Sequence, residues 1–326
     1  MQRFILYRLA WALPAIAVIL VVNFLLTHII PGDPIDAIVG EYPVPPAYVA
    51  EVRHTFGLDQ PLYVQLGLYL FETAKGNLGF SFSNRQDVLG LVLSRAGATL
   101  LLMVPALIGS SLLGIVLARI AALRQGKAAD LAVTGLSLFA YSVPVFWLGQ
   151  LLIVFFSVDL HWLPATGMHA MRGVRPGLPQ LWDFAAHWAM PGICTMLFYS
   201  AIVMRISRAS LQETLDQDFV VTARAKGLAE RRVFWRHVFP NAMVPIVTVI
   251  GYNFGYVLTG AILVETAFSW PGLGTLFLSS IGNRDYPVLQ AIFLFSAVVV
   301  VLANLAADVA YGLVDPRVRR GSVRTA

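Results

Sequence analysis

The residues able to do chemistry are few, and most are scattered. One cysteine, Cys194, lies inside an apolar run without a partner in the chain, which excludes an intramolecular disulfide and a cysteine-based zinc site. It reads as a small buried hydrophobe. The six histidines (28, 54, 161, 169, 187 and 237) show no ligand spacing, so no metal site is expected from this chain. No Gly-x-x-x-x-Gly-Lys-Ser/Thr phosphate loop occurs, and no acid–histidine or nucleophile–base cluster suggests a membrane-embedded enzyme. One stretch stands apart. Between Phe219 and Pro240 the cations Arg224, Lys226, Arg231, Arg232 and Arg236 alternate with Phe219, Phe234, Trp235 and Phe239. A mixed basic and aromatic surface suits docking to another protein, because such rings are costly to leave in water.

The elements that hold this stretch are set by composition. Of 326 residues, 58% are hydrophobic and 13% charged, with mean hydropathy +0.72. A soluble domain has about half apolar and a quarter charged residues, so the excess needs a bilayer. A spanning helix takes about 20 apolar residues. Six stretches qualify or come close: Leu9–Ile30, Ala98–Ala122, Leu131–Phe156, Trp188–Met204, Ala242–Val264 and Val288–Val314. They lack the every-second-residue alternation of barrel strands. The expectation is an all-α membrane protein with six transmembrane helices.

Charge orients it. With the N-terminus inside, the inner segments and Arg119 hold 16 Lys/Arg and the outer loops hold 7. Acidic residues run the other way, 7 inside and 11 outside. Both termini are expected in the cytoplasm, and the net charge of +5 reflects topology rather than nucleic-acid binding. The first span has Arg3 and Arg8 ahead of it but no small-x-small cleavage site, so it reads as a retained anchor.

Three regions follow. Residues 1–30 carry the N-terminal end and first span, 31–97 an extracytoplasmic segment, and 98–326 the core with an inner loop at about 205–241. Pro31, Pro34, Pro43, Pro45 and Pro46 break the outer segment, with short amphipathic helices expected over Ala47–Phe56 and after Asp59-Gln60-Pro61. It reads as a cap on the outer face. In the inner loop, Thr214 or Asp216 can cap a helix whose first turn holds Asp218, and Gly227 supplies a left-handed stop. A second helix is expected from Glu230 to Phe239, ended by Pro240. The unit is a short helix–turn–helix knob. The tail Arg317-Val318-Arg319-Arg320 reads as a basic anchor for anionic headgroups.

The stretch Thr222-Ala223-Arg224-Ala225-Lys226-Gly227-Leu228, with His237-Val238-Phe239-Pro240-Asn241-Ala242 and Pro245, resembles the EAA loop of ABC-importer permeases, in particular the dipeptide, oligopeptide and nickel branch. Ala223, Gly227 and Pro240 match that pattern, whereas Val221 stands at its docking-glutamate position. Further resemblances cover nearly the whole chain. They are Ile29-Ile30-Pro31-Gly32-Asp33-Pro34, Leu58-Asp59-Gln60-Pro61, Gly76-Asn77-Leu78-Gly79-Phe80-Ser81, the run from Glu265 to Gly274, Arg284-Asp285-Tyr286-Pro287 and Asp315-Pro316-Arg317.

The resemblance implies a type I importer fold in a bacterial inner membrane, multi-pass, and a solute path rather than an enzyme. It implies a second homologous permease, two cytoplasmic ATPase subunits that hold ATP and magnesium, and a solute-binding protein outside. This chain would bind no cofactor itself. Coupling to an ATPase would fall to Thr222, Ala223, Arg224, Ala225, Lys226, Gly227, Leu228 and Pro240. Phe268, Trp270 and Asp308 are candidates for the path or a gate, while Asn253 and Asn304 can equally be interhelical glue. The implied cargo is a peptide or similar small solute. An ion-coupled secondary transporter is the rival, but it would need acids or broken helices near the midplane, and the spans are nearly free of charge.

Overall fold

The computed structural model describes residues 2–29, 45, 59–81, 83–170 and 176–314. The chain is mostly helical. Helix α1 spans Gln2–Ile29 and α2 spans Leu62–Ala74; a two-residue hairpin pairs β1 (Phe80–Ser81) antiparallel with β2 (Gln86–Asp87). Helices α3 (Val88–Leu123), α4 (Ala128–Ser142) and α5 (Val145–Leu152) follow, α5 running into a π-helical turn over Ile153–Asp159. Then come α6 (Leu178–Leu215), α7 (Asp218–Ala225), α8 (Glu230–Val233), α9 (Phe239–Gly255), α10 (Val257–Ala267), α11 (Leu273–Gly282) and α12 (Tyr286–Val314).

Among the described residues four helices are long and apolar enough to cross a bilayer: α3, α6, the joined Glu230–Gly255 rod, and α12. Counting the bent α4–α5 pair as one span gives five, and the described apolar stretch of α1, Leu13–Leu25, is shorter. The bend is 96°. Its cause is Pro144, which lacks an N–H and pushes Val143 into extended backbone (φ −79°, ψ 125°). The expected straight span Leu131–Phe156 is therefore two short helices. Span limits differ elsewhere too. Asp87 caps α3 by accepting from the Gly90 amide at 3.0 Å, so that helix starts ten residues before Ala98. With 36 and 38 residues, α3 and α6 reach about 54 and 57 Å, well beyond a hydrocarbon core of about 30 Å. The expected fifth span breaks at Tyr256 between α9 and α10.

The centre of the bundle is the pair α3 and α6. A stripe of small residues on α3, namely Ala106, Ser110, Gly114, Ala118 and Ala122, is buried at four-residue spacing. Such a stripe brings backbones close where no hydrophobic force between helices is available. At Gly114 a Cβ would sit 2.7 Å from Val203 Cβ and 2.9 Å from the Ser200 carbonyl, so any side chain there forces the helices apart. Asn23 Nδ2 donates to the Gln290 carbonyl at 3.0 Å, tying α1 to α12, and α2 meets α1 through Phe24 and Tyr69, ring centroids 5.7 Å apart. Ser81 Oγ donates to Asp285, which anchors the hairpin to the turn before α12. The expected proline turn at 31–34, the helix over 47–56 and the basic cluster 317–320 lie outside the described residues.

Candidate coupling site

The knob forms because three short pieces of sequence each have one stable option. Helix α6 does not stop at the expected loop; it continues to Leu215, so residues 205–215 are helical. Thr214 accordingly bonds back to the Ser210 carbonyl at 2.8 Å, and Asp216 closes α6 rather than opening α7. Helix α7 starts one residue after Gln217, with Asp218 in its first turn as expected. It ends in a Schellman turn. The Gly227 amide donates to Arg224 O at 2.9 Å and the Leu228 amide to Ala223 O at 3.4 Å. Gly227 has φ +76°, the left-handed region that only glycine enters without cost. Across the turn Arg224 grips Glu230 with both nitrogens, Nε at 2.9 Å and Nη2 at 3.3 Å. The pair is exposed, so it sets geometry more than stability.

The second helix departs from expectation at its end. Rather than stopping at Pro240, α8 passes through a π-helical turn, Phe234–Val238, straight into α9. The Phe239 amide reaches back five residues to Phe234 O, which widens the helix just before Pro240, whose missing N–H breaks the ordinary register. Knob and membrane rod are one continuous element.

One face of this unit is buried. Val220, Ala223, Val233, Phe234 and Val238 pack on Ala118, Ala121 and Ala122 of α3, Leu211 of α6, and Ala242 and Ile246 of α9. Arg119 lies over the rings of Phe234 and Trp235, 5.0 and 5.6 Å from their centroids. Phe234 was expected on the docking face and instead fills the core beneath it. Ala223 is likewise buried, and Leu228 packs beside it, so these two hold the turn down. Thr222, Arg224, Ala225, Lys226, Gly227 and Pro240 are exposed. Phe219, Val221 and Trp235 stand exposed among them at 41, 58 and 46%. Where the permease pattern has an acid, this surface presents the apolar Val221.

Beside the knob, Asp130 and Arg208 clasp α4 to α6. Nε meets Oδ1 at 2.7 Å and Nη2 meets Oδ2 at 2.8 Å, while Asp130 also accepts from the Gly126 amide at 3.0 Å. The clasp fixes the α4–α6 angle at the knob end.

The candidates for the path or a gate sit elsewhere. Phe268 and Trp270 are buried in a packed cluster with Leu102, Met103 and Met190, and Trp270 Nε1 donates to Ala98 O at 2.9 Å. A Cβ on Gly149 would lie 2.9 Å from the Phe268 ring. Asp308 is half-buried on α12. Sequence reasoning overlooked Glu265. It is fully buried, accepts from Thr99 Oγ1 at 2.6 Å, and accepts from the Gly274 and Thr275 amides at 2.7 and 3.2 Å. Thr99 in turn accepts from the Leu273 amide at 2.8 Å. The available signal was the glycine spacing: a Cβ on Gly272 would overlap the Glu265 carboxylate.

Comparison with known proteins bears on this geometry. The chain matches the family model described as binding-protein-dependent transport system inner membrane component over residues 110–320, and that family's N-terminal model over residues 1–103. It is 38% identical to the di/tripeptide transport system permease protein DppB of Pseudomonas aeruginosa (98% of this chain, 99% of that protein). Identity to the dipeptide permease DppB of Escherichia coli K12 is also 38%, with the same coverage. The glutathione permease GsiC of Escherichia coli is 37% identical, again over 98% of this chain and 99% of that protein. Among solved structures, an inward-facing MetNI methionine ABC transporter is similar at TM-score 0.55 and 14% identity, covering 69% of this chain and 96% of that one. That likeness concerns the fold.

Proposed function

The chain belongs to the family of binding-protein-dependent transport system inner membrane components, and from that premise we propose that it forms half of the path by which an ATP-driven importer carries peptides across the bacterial inner membrane. It is a permease subunit of an ABC importer. The relatives named for dipeptide, di/tripeptide and glutathione transport support a peptide or a similar small solute. Six spans, both termini in the cytoplasm, an outer cap after the first span, and the chemistry of ATP and magnesium in two separate ATPase subunits complete the reading. A second homologous permease and an outer solute-binding protein complete the complex. This subunit does no chemistry of its own. An ion-coupled secondary transporter is not favoured.

The observation that carries the coupling assignment is the continuity of the knob with the rod. Thr222, Arg224, Ala225, Lys226, Gly227 and Pro240, with Phe219, Val221 and Trp235, present the surface an ATPase would grip. Ala223 and Leu228 seat it on α3 and α6. Closure of the ATPase on ATP favours one bundle state by differential affinity, transmitted through a rigid element. Phe268, Trp270 and the Glu265 network form the outer closure in this reading, and Asp308 a second candidate on the path. Co-purification of the tagged chain, followed by an ATPase assay with and without binding protein, tests it. A second permease and ATPase subunits, stimulated by peptide-loaded binding protein, are expected. A lone chain that moves peptide in proteoliposomes without ATP would overturn the reading.

A further inference from the structure

A helix in water puts its apolar face on the protein and its polar face outwards. Helix α2 does the reverse. Besides its tyrosines, its polar residues are Gln65, Glu72 and Thr73, and all three are half-buried. The exposed positions instead hold a stripe of Tyr63, Gly67, Leu68, Phe71 and Ala74, recurring every third or fourth residue on one side of the helix. Tyr63, Leu68 and Phe71 are 77, 50 and 59% exposed. A Cβ built on Gly67, in the middle of the stripe, meets nothing within 4 Å, so no described residue packs on it.

The neighbours of α2 fix its level. Tyr69, on its inner side, packs on Phe24 of α1, and with Glu72 it shares a cleft of about 280 Å³ with Pro287, Gln290 and Leu294 of α12. Phe24 lies at the end of the apolar stretch Leu13–Leu25, and the three α12 residues lie in the first part of the apolar stretch Tyr286–Val309. Helix α2 therefore sits beside the ends of two stretches made for lipid, not beyond them. Near Phe24, α1 shows an exposed apolar stripe of its own, Val18, Val22 and Leu25. With 13 residues α2 is about 20 Å long, too short to cross a hydrocarbon core of about 30 Å. Lys75 marks the polar border of its stripe, with the ammonium 3.0 Å from the Glu72 carboxylate and 3.8 Å from the Phe71 ring centroid.

Resting on the permease reading, we infer that α2 is an interfacial helix seated in the outer leaflet of the bilayer, with the stripe Tyr63, Gly67, Leu68, Phe71 and Ala74 against lipid. A short helix with one apolar face lies along the boundary between headgroups and acyl chains rather than across it. Tyr63 suits that level, because its ring is apolar and its hydroxyl polar. The polar side chains are satisfied on the other side of the helix: Glu72 accepts from Lys75 and Asn77, and Gln65 donates to the Gln60 carbonyl. The segment after the first span is thus bound to the membrane surface as well as to the bundle.

The test uses the assembled complex in proteoliposomes, carrying Gly67→Cys labelled with a small fluorophore; the open space at Gly67 lets the label in without crowding. Quenching is measured with nitroxide lipids labelled near the headgroup, with nitroxide lipids labelled near the chain end, and with aqueous iodide. The label should lie about 5–10 Å into the headgroup and acyl boundary, so the shallow nitroxide should quench it strongly and the deep nitroxide and iodide weakly. Ala74→Cys, two turns further along the stripe, should give the same order and serves if Gly67→Cys does not assemble. Strong quenching by iodide would put the stripe in water and overturn the inference. Protection from every quencher would mean that protein covers it, and so would iodide quenching that is lost only when binding protein is added; either result overturns the inference too. ATP-driven uptake by the wild-type complex with binding protein separates the two failures. Its absence sinks the permease reading, whereas intact uptake with a label that lipid does not quench sinks only this placement of α2.

Discussion

Gly227 allows the coupling assignment to be tested by backbone chemistry alone. A Cβ built there meets nothing within 4 Å, so no substitution is penalised by crowding inside this chain. The cost of replacing it comes from φ +76° only. For an ordinary L residue the left-handed region costs about 1–2 kcal/mol; asparagine enters it more readily, and a β-branched residue least. Helix α7 has eight residues, too few to persist by itself, and it is held by the turn and by Val220 and Ala223. At 1.4 kcal/mol per tenfold, Gly227→Ala should leave the turn formed in far fewer molecules, Gly227→Val in fewer still, and Gly227→Asn close to wild type. The assay is the ratio of peptide taken up to ATP hydrolysed by the reconstituted complex, alongside the amount of each variant in the membrane. Coupling should fall in the order Gly, Asn, Ala, Val at constant membrane level. If Asn is as damaging as Val, the space is filled by the partner and the backbone argument fails. If membrane level falls in parallel with uptake, Gly227 matters for folding instead.

Three more predictions concern the bundle. Asp130→Asn should lower the stability of the detergent-purified complex by about 3 kcal/mol, because it leaves Arg208 without its charged partner, and thermal unfolding reads this directly. Arg208→Ala should cost a similar amount, and the double variant less than the sum. Gly114→Leu should fail to assemble, since Val203 and Ser200 O already stand within 3 Å of a Cβ, and even Gly114→Ala should cost about 1–3 kcal/mol in unfolding. Glu265→Gln should loosen the outer end by about 2 kcal/mol, because an amide cannot accept from Thr99 and from both amides of α11, so hydrogen exchange at 273–276 should speed up.

Much of this was legible in the sequence where one physical cause dominates. Apolar runs located the helices, Asp218 and Gly227 bounded α7, and the basic and aromatic run marked the knob. What escaped depends on tertiary context. Pro144 lies inside an apolar run that hydropathy alone reads as one span, yet it bends the chain by 96°. Pro240 reads as a stop, but a π-helical turn absorbs it because Phe234 and Val238 are anchored in a core. Phe234 could not be told from Trp235 by composition; only packing against Ala118 and Ala122 buries one and exposes the other. Glu265 looked like a loop acid because its partners, Thr99 and the start of α11, lie far away or on its other side in the chain.

The unbroken rod from Glu230 to Gly255 has a mechanical consequence. Its 26 residues make a lever about 39 Å long, with the knob at one end and the break at Tyr256 just past the other. From the break at Tyr256 back to Arg236 the arm is about 30 Å, so a tilt of about 10° about that break would carry the knob through about 5 Å. No relay of side chains is needed, because knob and span belong to the same piece. The break at Tyr256 would be the hinge for that stroke, with α10 held to α3 and α11 through Glu265.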